Sequence, residues 1–160
     1  MLKVKIIAVG KIKEKFYTDA CNEYIKRLGA YCNISVTEIQ EYKCADNPSA
    51  AEIERVIKKE GERILTAIPD NAFVIPMCIE GKGLSSEELA DKLGKISVEG
   101  TSTVCFVIGG SFGLDNEVKN RGNLRLSMSA MTFPHMLARV MLLEQIYRAL
   151  SINKGTKYHK

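Results

Sequence analysis

Two short, wholly apolar runs, residues 72–79 and 104–108, limit the fold of this chain more than any other feature. Neither run alternates apolar with polar residues, as a strand with one wet face would, so both are typical of strands buried on both faces. Apolar residues at helical spacing separate such runs along the chain. Buried strands that alternate with helices predict an α/β fold, in which helices cover both faces of a mostly parallel sheet.

Caps and turn residues mark the other elements. Ser49 and Ser85 each precede a Glu at the third following position, a pattern that predicts a helix start. Pro134 suits the first turn of a last helix that ends near Ile152. The chain shows no internal repeat, low-complexity segment or linker, so we expect residues 1–160 to form a single domain. The predicted strands are 3–9, 34–39, 72–79, 103–108 and 124–128.

Composition excludes several classes of protein. Apolar residues make up 46% of the chain, but no apolar run approaches the roughly 20 residues that a membrane span needs. The first residues lead directly into a strand and lack a signal-peptide pattern, so we expect a cytoplasmic protein. Five cysteines without a Cys-x-x-Cys pair and only two histidines disfavour a disulfide framework and a metal site.

Positive charge is concentrated near the C-terminus. The net charge is +4, but residues 1–113 hold 15 Lys and Arg against 16 Asp and Glu, whereas residues 114–160 hold 8 against 3. A basic end on a near-neutral body suits an anionic partner such as RNA. The alternative is a solvated charged surface without a partner.

Three loops rich in glycine or small residues follow predicted strands. Residues 109–113, Gly-Gly-Ser-Phe-Gly, match neither the dinucleotide fingerprint nor the phosphate-binding loop, and they form either a ligand-binding loop or a plain tight turn. In the segment 129–135, Met131 and Phe133, with Met128 before them, can flank an aromatic base, and the segment can also begin a helix capped by Thr132 or Phe133; the two interpretations are compatible. With residues 80–83 as a third wall, these loops predict a pocket for a flat, polar ligand at neighbouring strand ends.

The last seven residues, 154–160, combine three lysines with Tyr158 and His159. Lysines neutralise phosphates, an aromatic ring stacks on an unpaired base, and histidine exchanges protons near neutral pH. These properties favour a tail that faces RNA, and the alternative is a frayed chain end.

The last predicted helix carries more apolar residues than one face against a small sheet requires. Either part of it packs on a second copy in a homodimer, or the whole helix is buried within one chain. Its two arginines, Arg139 and Arg148, either contact phosphate or form an ion pair with Glu144.

Several motifs occur together in this sequence. In the last third they are Thr132-Phe133-Pro134-His135, Arg139, Glu144-Gln145, Tyr147-Arg148-Ala149 and Tyr158-His159-Lys160. Earlier in the chain they are Ala8-Val9-Gly10-Lys11 and Val107-Ile108-Gly109-Gly110-Ser111-x-Gly113. Together these motifs resemble the ribosomal RNA large subunit methyltransferase H family, and the match spans the whole chain.

The resemblance implies a SPOUT methyltransferase, with a single-domain α/β fold, a C-terminal trefoil knot at about residues 103–160 and a homodimeric state. It implies S-adenosylmethionine as cofactor and no metal. The implied reaction is methylation of N3 of a pseudouridine in the intersubunit stem-loop of 23S ribosomal RNA, within the assembled ribosome. Two alternatives remain: a non-catalytic, ribosome-associated RNA-binding protein of similar fold, and a SPOUT methyltransferase that acts on transfer RNA.

The implied reaction also points to individual residues. Because N3 must lose a proton, a general base is needed, and His159 and Tyr158 are the candidates. Arg148, Lys154 and Lys160 are the candidate RNA-binding residues, and we expect the tail to reach the cofactor pocket of the other subunit. The cofactor contacts that the resemblance implies are Met77, Gly109, Met128, Ser129, Ala130, Met131, Thr132 and Phe133.

Overall fold

The computed structural model describes all of residues 1–160, in which five strands alternate with five helices. The strands are β1 (Lys3–Val9), β2 (Asn33–Ile39), β3 (Phe73–Gly83), β4 (Thr103–Ile108) and β5 (Leu126–Ser127), and the helices are α1 (Lys15–Leu28), α2 (Ala50–Ala67), α3 (Ser86–Val98), α4 (Asn116–Arg121) and α5 (His135–Asn153). The strands form one sheet of order β2-β1-β4-β3-β5, and all of its strand pairs are parallel. The predicted α/β class and parallel sheet are confirmed.

Helices cover both faces of the sheet, which explains why its inner strands are apolar throughout. α1, α3 and α5 pack on one face, around a core that includes Phe106 and Leu143. α2 and α4 pack on the other face, around a smaller core that includes Ile64 and Val107. β4 lies in the middle of the sheet, and its residues 104–107 have no exposed surface because they contribute to both cores.

Neighbouring strand ends lead into helices on opposite faces. β3 continues into α3 on one face, and β4 continues into α4 on the other. The chain therefore leaves two adjacent strands in opposite directions, and a crevice opens between their carboxyl ends. β1 lies on the other side of β4, with Ala8 opposite Ile108, so the loop after β1 is at the same edge of the sheet.

The carboxyl end of β3 differs from its prediction. The sequence predicts a loop at residues 80–83, because Glu-Gly-Lys-Gly is typical of a turn, but β3 continues to Gly83. Both Met77 and Lys82 pair with Leu126 of β5, so the residues between them bulge out of the sheet. Pairing with a strand that is distant in sequence therefore overrides the local preference for a turn.

β5 is shorter than the strand predicted at residues 124–128 and has only two residues. The segment before it is fastened to β3, because Asn123 Oδ1 accepts a hydrogen bond from the Val74 N–H at 2.8 Å and the Asn123 N–H donates to the Val74 carbonyl at 2.7 Å. Gly81 also packs closely here, since a Cβ on it would lie 2.8 Å from the Arg125 backbone. These contacts between distant residues leave little of the segment free for strand pairing.

Two of the predicted helix starts are confirmed and one is wrong. Ser49 and Ser85 each accept a hydrogen bond from the N–H three residues on, at 3.2 and 3.1 Å, which makes them the N-caps of α2 and α3. α5 is capped by Pro134, not by Thr132 or Phe133. Proline fits this position because its missing N–H is not needed before the first helical turn.

None of the helices combines the length and the hydrophobicity that crossing a membrane requires. The structure contains no group of three or more His, Cys, Asp or Glu side chains placed to hold a metal ion, and all five cysteines are free thiols. The knot that the resemblance implies at about residues 103–160 stays a prediction.

Candidate functional site: a cavity at the carboxyl ends of β3 and β4

A cavity of about 810 Å³ lies in the crevice at the carboxyl ends of β3 and β4. Its size is in the range of sites that hold small molecules, and 11 of its 21 lining residues are hydrophobic. Five parts of the chain enclose it: the bulge of β3, the glycine loop (residues 109–113), the segment 126–134, the first turn of α5, and α4. The cavity therefore lies where the sequence predicts a pocket between strand ends.

The glycine loop is both a tight turn and a wall of the cavity. The Gly113 N–H donates to the Gly110 carbonyl at 3.1 Å, and Gly113 has a φ of +88°, which favours glycine. A Cβ on Gly109 would lie 2.9 Å from the backbone of Gly113, too close for any side chain. The tight turn is therefore confirmed, and it brings main chain to the cavity surface, so binding of a ligand by this loop stays a prediction.

A buried carboxyl group lies beneath the glycine loop. Glu60 of α2 is 3% exposed, and its Oε2 accepts a hydrogen bond from the Tyr42 N–H at 3.0 Å. A Cβ on Gly110 would lie 3.2 Å from Glu60 Oε1 and 3.1 Å from Val9, so the loop rests directly on these two side chains. Burial raises the pKa of Glu60, while the hydrogen bond from Tyr42 opposes that change.

The segment between β5 and α5 is shaped by two hydrogen bonds. Ser129 Oγ accepts from the Met131 N–H at 3.0 Å, and the Ser127 hydroxyl donates to the Ser129 carbonyl at 3.0 Å. Of the cofactor contacts implied by the resemblance, Ala130 does not line the cavity. Those that line it are Met77, Gly109, Met128, Ser129, Met131, Thr132 and Phe133.

Further side chains on the lining have no predicted role. Lys119 of α4 and Glu80 form an ion pair, which lowers the pKa of Glu80. Cys78 lies beside them, and burial raises the pKa of its thiol, so the thiol is protonated at neutral pH. The third wall is thus residues 77–80, and not residues 80–83 as predicted. No sequence pattern marks Lys119, because α4 reaches the cavity only through tertiary packing.

The C-terminal tail, residues 154–160, folds back onto its own chain. The Tyr158 ring packs edge-on against Tyr147 of α5, with ring centroids 4.7 Å apart, and its hydroxyl donates to Glu144 at 3.1 Å. The tail contributes no residue to the lining of the cavity. Within one chain, therefore, the predicted catalytic residues and the predicted cofactor contacts are not brought together.

Both ring nitrogens of His159 are engaged in this arrangement. Nδ1 lies 3.1 Å from Arg148 Nη1, and Nε2 lies 2.7 Å from Glu87 Oε1. Because a guanidinium group only donates, Nδ1 accepts and Nε2 carries the proton that it donates to Glu87. Burial and hydrogen bonding raise the pKa of Tyr158 to about 12. In this position Nδ1 of His159 is occupied by Arg148, and the Tyr158 hydroxyl donates to Glu144.

Arg139 occupies neither of its two predicted environments. It is 4% exposed, forms an ion pair with Glu38 of β2 at 2.7 Å, and donates to the Gly10 carbonyl at 3.0 Å. It therefore neither faces a phosphate nor pairs with Glu144. Its contacts instead connect α5 to the ends of β1 and β2, and this connection has no local sequence signature.

The predicted RNA-binding residues lie together near the end of α5. Arg148 forms an ion pair with Glu144, one of its two predicted alternatives, and its guanidinium stacks on the Tyr158 ring, 4.8 Å from the centroid. Lys154 and Lys160 are exposed. Arg148 is thus committed to contacts within the chain, while the two lysines remain open to solvent.

A second, mostly apolar hollow of about 330 Å³ adjoins the tail. It shares Met77, Leu126 and Met128 with the larger cavity, so these three residues form a wall between the two spaces. Tyr24 of α1 and Glu144 of α5 also line it. The hollow leaves apolar surface of α5, including Val140, only partly covered within one chain.

Comparison with protein families and with curated proteins gives matches along nearly the whole chain. A family model described as "Predicted SPOUT methyltransferase" matches residues 2–159. A "Ribosomal RNA large subunit methyltransferase H" from Bifidobacterium adolescentis is 52% identical, over 99% of this chain and 100% of that protein. Proteins of the same name from Clostridioides difficile and Oenococcus oeni are 49% and 46% identical, over 99% and 100% of this chain and 100% of each relative.

Comparison with solved structures supports the fold. A probable methylase family protein from Haemophilus influenzae Rd KW20 matches with a TM-score of 0.55, over 100% of this chain and 72% of that chain. The two sequences are 14% identical, so this likeness concerns the fold alone.

Proposed function

The chain belongs to the SPOUT methyltransferase family, within the group of ribosomal RNA large subunit methyltransferase H proteins, and from that membership we propose its substrate and mechanism. It is an RNA methyltransferase. We propose that it methylates N3 of a pseudouridine in the intersubunit stem-loop of 23S ribosomal RNA, that it acts on assembled ribosomes in the cytoplasm, and that it works as a homodimer. The observation that carries the proposal is that seven of the eight implied cofactor contacts line one cavity.

The lining of the cavity fits S-adenosylmethionine. Met77, Met128 and Phe133 offer apolar surface to a flat base, and the glycine loop offers main-chain N–H and C=O groups to polar edges. When bound, this cofactor supplies a methyl group that is already activated on a sulfonium. The chain's own residues then have to hold the donor and the target nitrogen in line, which is a matter of position more than of acid–base chemistry.

Removal of the N3 proton is the step that calls for a titratable side chain. A positioned general base contributes about 10²–10⁴-fold to such a step. We assign this role to the tail, with His159 as the base and Tyr158 beside it. Because Arg148 occupies Nδ1 of His159, breaking this one contact exposes the lone pair that accepts the proton. Released from His159, Arg148 can turn to RNA phosphate, and we assign the same role to the exposed Lys154 and Lys160.

The tail acts on the cavity of the partner subunit in this proposal. Two observations support it: the tail lies outside the cavity of its own chain, and the apolar hollow beside it leaves part of α5 uncovered. A second copy that covers this hollow would bring its own tail close to the wall formed by Met77, Leu126 and Met128, which both spaces share.

Methyl incorporation tests the substrate. Labelled S-adenosylmethionine is supplied with intact ribosomes, with free 23S RNA and with transfer RNA, and the modified base is identified by mass spectrometry. We expect label at N3 of a pseudouridine, with intact ribosomes as the best substrate. Label in transfer RNA would contradict the assignment, and calorimetry without any binding of S-adenosylmethionine would favour a non-catalytic RNA-binding protein.

Deletion of residues 154–160 tests the role of the tail. We expect the truncated chain to bind S-adenosylmethionine but to lose at least about a hundredfold in methylation rate, the lower part of the range for a general base. Tyr158→Phe separates the two candidate bases, because it keeps the ring that packs on Tyr147 and removes only the hydroxyl. With His159 as the base, this variant should keep most of the methylation rate. Full methylation by the truncated chain would end the proposal for the tail.

A further inference from the structure

We propose that the β1 loop, residues 10–14, is a docking surface for the RNA backbone, on which Lys11 and Lys13 contact phosphates that flank the target nucleotide. The inference rests on the proposed function and deepens it, since it states where the RNA substrate is held. The observations that carry it are the position of the loop, its rigid attachment and its unpaired charge.

The loop begins at the rim of the cavity. Gly10 directly follows β1, the neighbour of β4, and has a φ of +92° that turns the chain away from the sheet. A Cβ on Gly10 would lie 3.2 Å from Met136 and 3.6 Å from Nε2 of His135. Because His135 lines the cavity, the first residues of the loop lie beside its mouth.

Buried contacts fix the loop at its base. Arg139 donates to the Gly10 carbonyl at 3.0 Å and forms an ion pair with Glu38 at 2.7 Å, so a buried cation holds the end of β1 against α5. Burial of a guanidinium group is costly unless its donors are used, and here Nη1 and Nη2 are used, Nη2 to hold this turn of main chain, while the buried Nε has no partner. Ile12 adds a second attachment, because it packs against the larger core.

Because the side chain of Ile12 points into the core, the side chains on either side of it point toward solvent. Lys11 and Lys13 flank it, and both are exposed. Neither takes part in an ion pair, whereas Lys15 pairs with Asp19 at 2.6 Å. Two unpaired ammonium groups on a fixed loop raise the local potential beside the cavity, where an RNA strand must pass to present its base.

Single-stranded RNA fits this surface better than a protein partner does. The loop offers point charges on flexible stems, and Ile12 is turned inward. The large exposed apolar side chain beside it, Phe16 of α1, is an aromatic ring, which can stack on an unpaired base. Phosphate groups recur along an RNA backbone, so two lysines on either side of one buried residue can neutralise neighbouring phosphates without reading a base. The surface therefore holds the strand, and recognition of the target base is left to the cavity and the tail.

The test compares two double variants that each remove two positive charges. Lys11→Ala/Lys13→Ala changes the loop, and Lys58→Ala/Lys59→Ala changes two exposed lysines of α2, which packs on the other face of the sheet. Binding to intact ribosomes is measured against salt concentration, with kcat and KM for methylation. For the loop variant we expect KM for ribosomes to rise about tenfold and the salt slope to fall by about 1.4, or about 0.7 for each lost phosphate contact. The cofactor affinity and the α2 variant should match the wild type.

The outcomes separate this inference from the proposed function. Equal salt slopes for the two double variants would overturn the inference, even if ribosomes are methylated. A wild type that binds ribosomes through the loop without methylating them would overturn the proposed function and leave the docking surface standing. Lys11→Arg/Lys13→Arg should restore the slope, because arginine keeps the charge. If the wild type binds no ribosomal RNA even at low salt, both proposals are wrong.

Discussion

The wall of the cavity includes a position at which there is no room for a side chain. Gly109 is that position, because a Cβ there would lie 2.9 Å from the backbone of Gly113, across the turn that shapes the glycine loop. Gly83, at the end of β3, is its opposite, since a Cβ there would meet nothing within 4 Å. The two positions provide a matched pair of substitutions that add the same methyl group.

Gly109→Ala should open the turn and damage the cavity. We expect cofactor affinity to fall by about tenfold or more and the free energy of unfolding to fall by about 1–3 kcal/mol, the usual range for a methyl group forced into packed structure. Calorimetric titration and urea unfolding measure the two effects. Gly83→Ala should change neither, and an equal loss of affinity in both variants would show that the close approach at Gly109 is not the cause.

The burial of Glu60 predicts that this one carboxyl group makes the free energy of unfolding depend on pH. Burial raises its pKa in the folded chain above the unfolded value, so the folded chain binds more protons between the two pKa values. Its stabilising contribution is therefore complete below the unfolded pKa and is lost as the pH rises through the folded pKa. Glu60→Gln keeps an acceptor for the Tyr42 N–H and cannot ionise.

The stability of Glu60→Gln relative to the wild type should therefore increase as the pH rises from about 4 to 7. Urea unfolding of both proteins at several pH values measures this difference, in which the other titrating groups cancel. A difference that stays constant over the range would mean that the pKa of Glu60 is the same in the folded and unfolded chains. A difference that decreases with pH would mean that the pKa is lowered by folding.

At the scale of elements, Arg139 decides how α5 is joined to the sheet. Arg139→Met should lower the free energy of unfolding by about 2–4 kcal/mol, because Glu38 loses its partner and the Gly10 carbonyl loses a donor. Adding Glu38→Gln should recover part of this loss, since the unpaired charge is then removed as well. Chemical unfolding of the two variants checks the sign, and a further loss in the double variant would contradict the argument.

The bounds of a helix or strand can be predicted from the sequence when its residues contact mainly near neighbours in the chain or are buried in an apolar core on every side. β1 and β4 have the predicted bounds, because each is an apolar run between polar turns, and such a run is buried over its whole length. Ser49 and Ser85 cap helices as predicted, since a cap depends on only three following residues. The site is predictable for a similar reason: small residues that follow buried strands mark the ends where ligands bind.

The structural features that the sequence does not reveal depend on contacts between residues that lie far apart in the chain. The bulge of β3 forms because Met77 and Lys82 both pair with Leu126, more than 40 residues away in the chain. Lys119 reaches the cavity by pairing with Glu80, and the position of the tail depends on contacts between His159 and Glu87. Periodicity and capping patterns describe a few residues at a time, so they carry no information about such pairs.

At the scale of the whole molecule, the proposed site is divided between two chains. In this proposal, the cavity belongs to one subunit and the tail that completes it comes from the partner. When the two defects are on different chains, damage to the cavity and loss of the tail then fall in the same site and leave the other site intact, which gives a test for the homodimer.

A mixture of the two defective chains should therefore regain activity when S-adenosylmethionine is kept at a concentration too low for Gly109→Ala chains to bind it. Chains lacking residues 154–160 are refolded together with Gly109→Ala chains, and methylation of ribosomes is measured. Half of the randomly formed dimers are mixed, and each mixed dimer has one site with both an intact cavity and an intact tail, so we expect about a quarter of the wild-type rate. If each tail serves its own chain, the mixture stays as inactive as its components.

The strand order also determines when this protein can fold. β1 pairs on one side with β4, and Lys3 lies opposite Thr103, 100 residues further along the chain. Synthesis at about 5–20 residues per second makes β4 only about 5–20 s after β1. During that interval β1 has β2 on one side and an open apolar edge on the other, the kind of edge to which foreign strands add. Each nascent chain thus passes through a period of exposure to aggregation, which ends when the central strand emerges and takes its place.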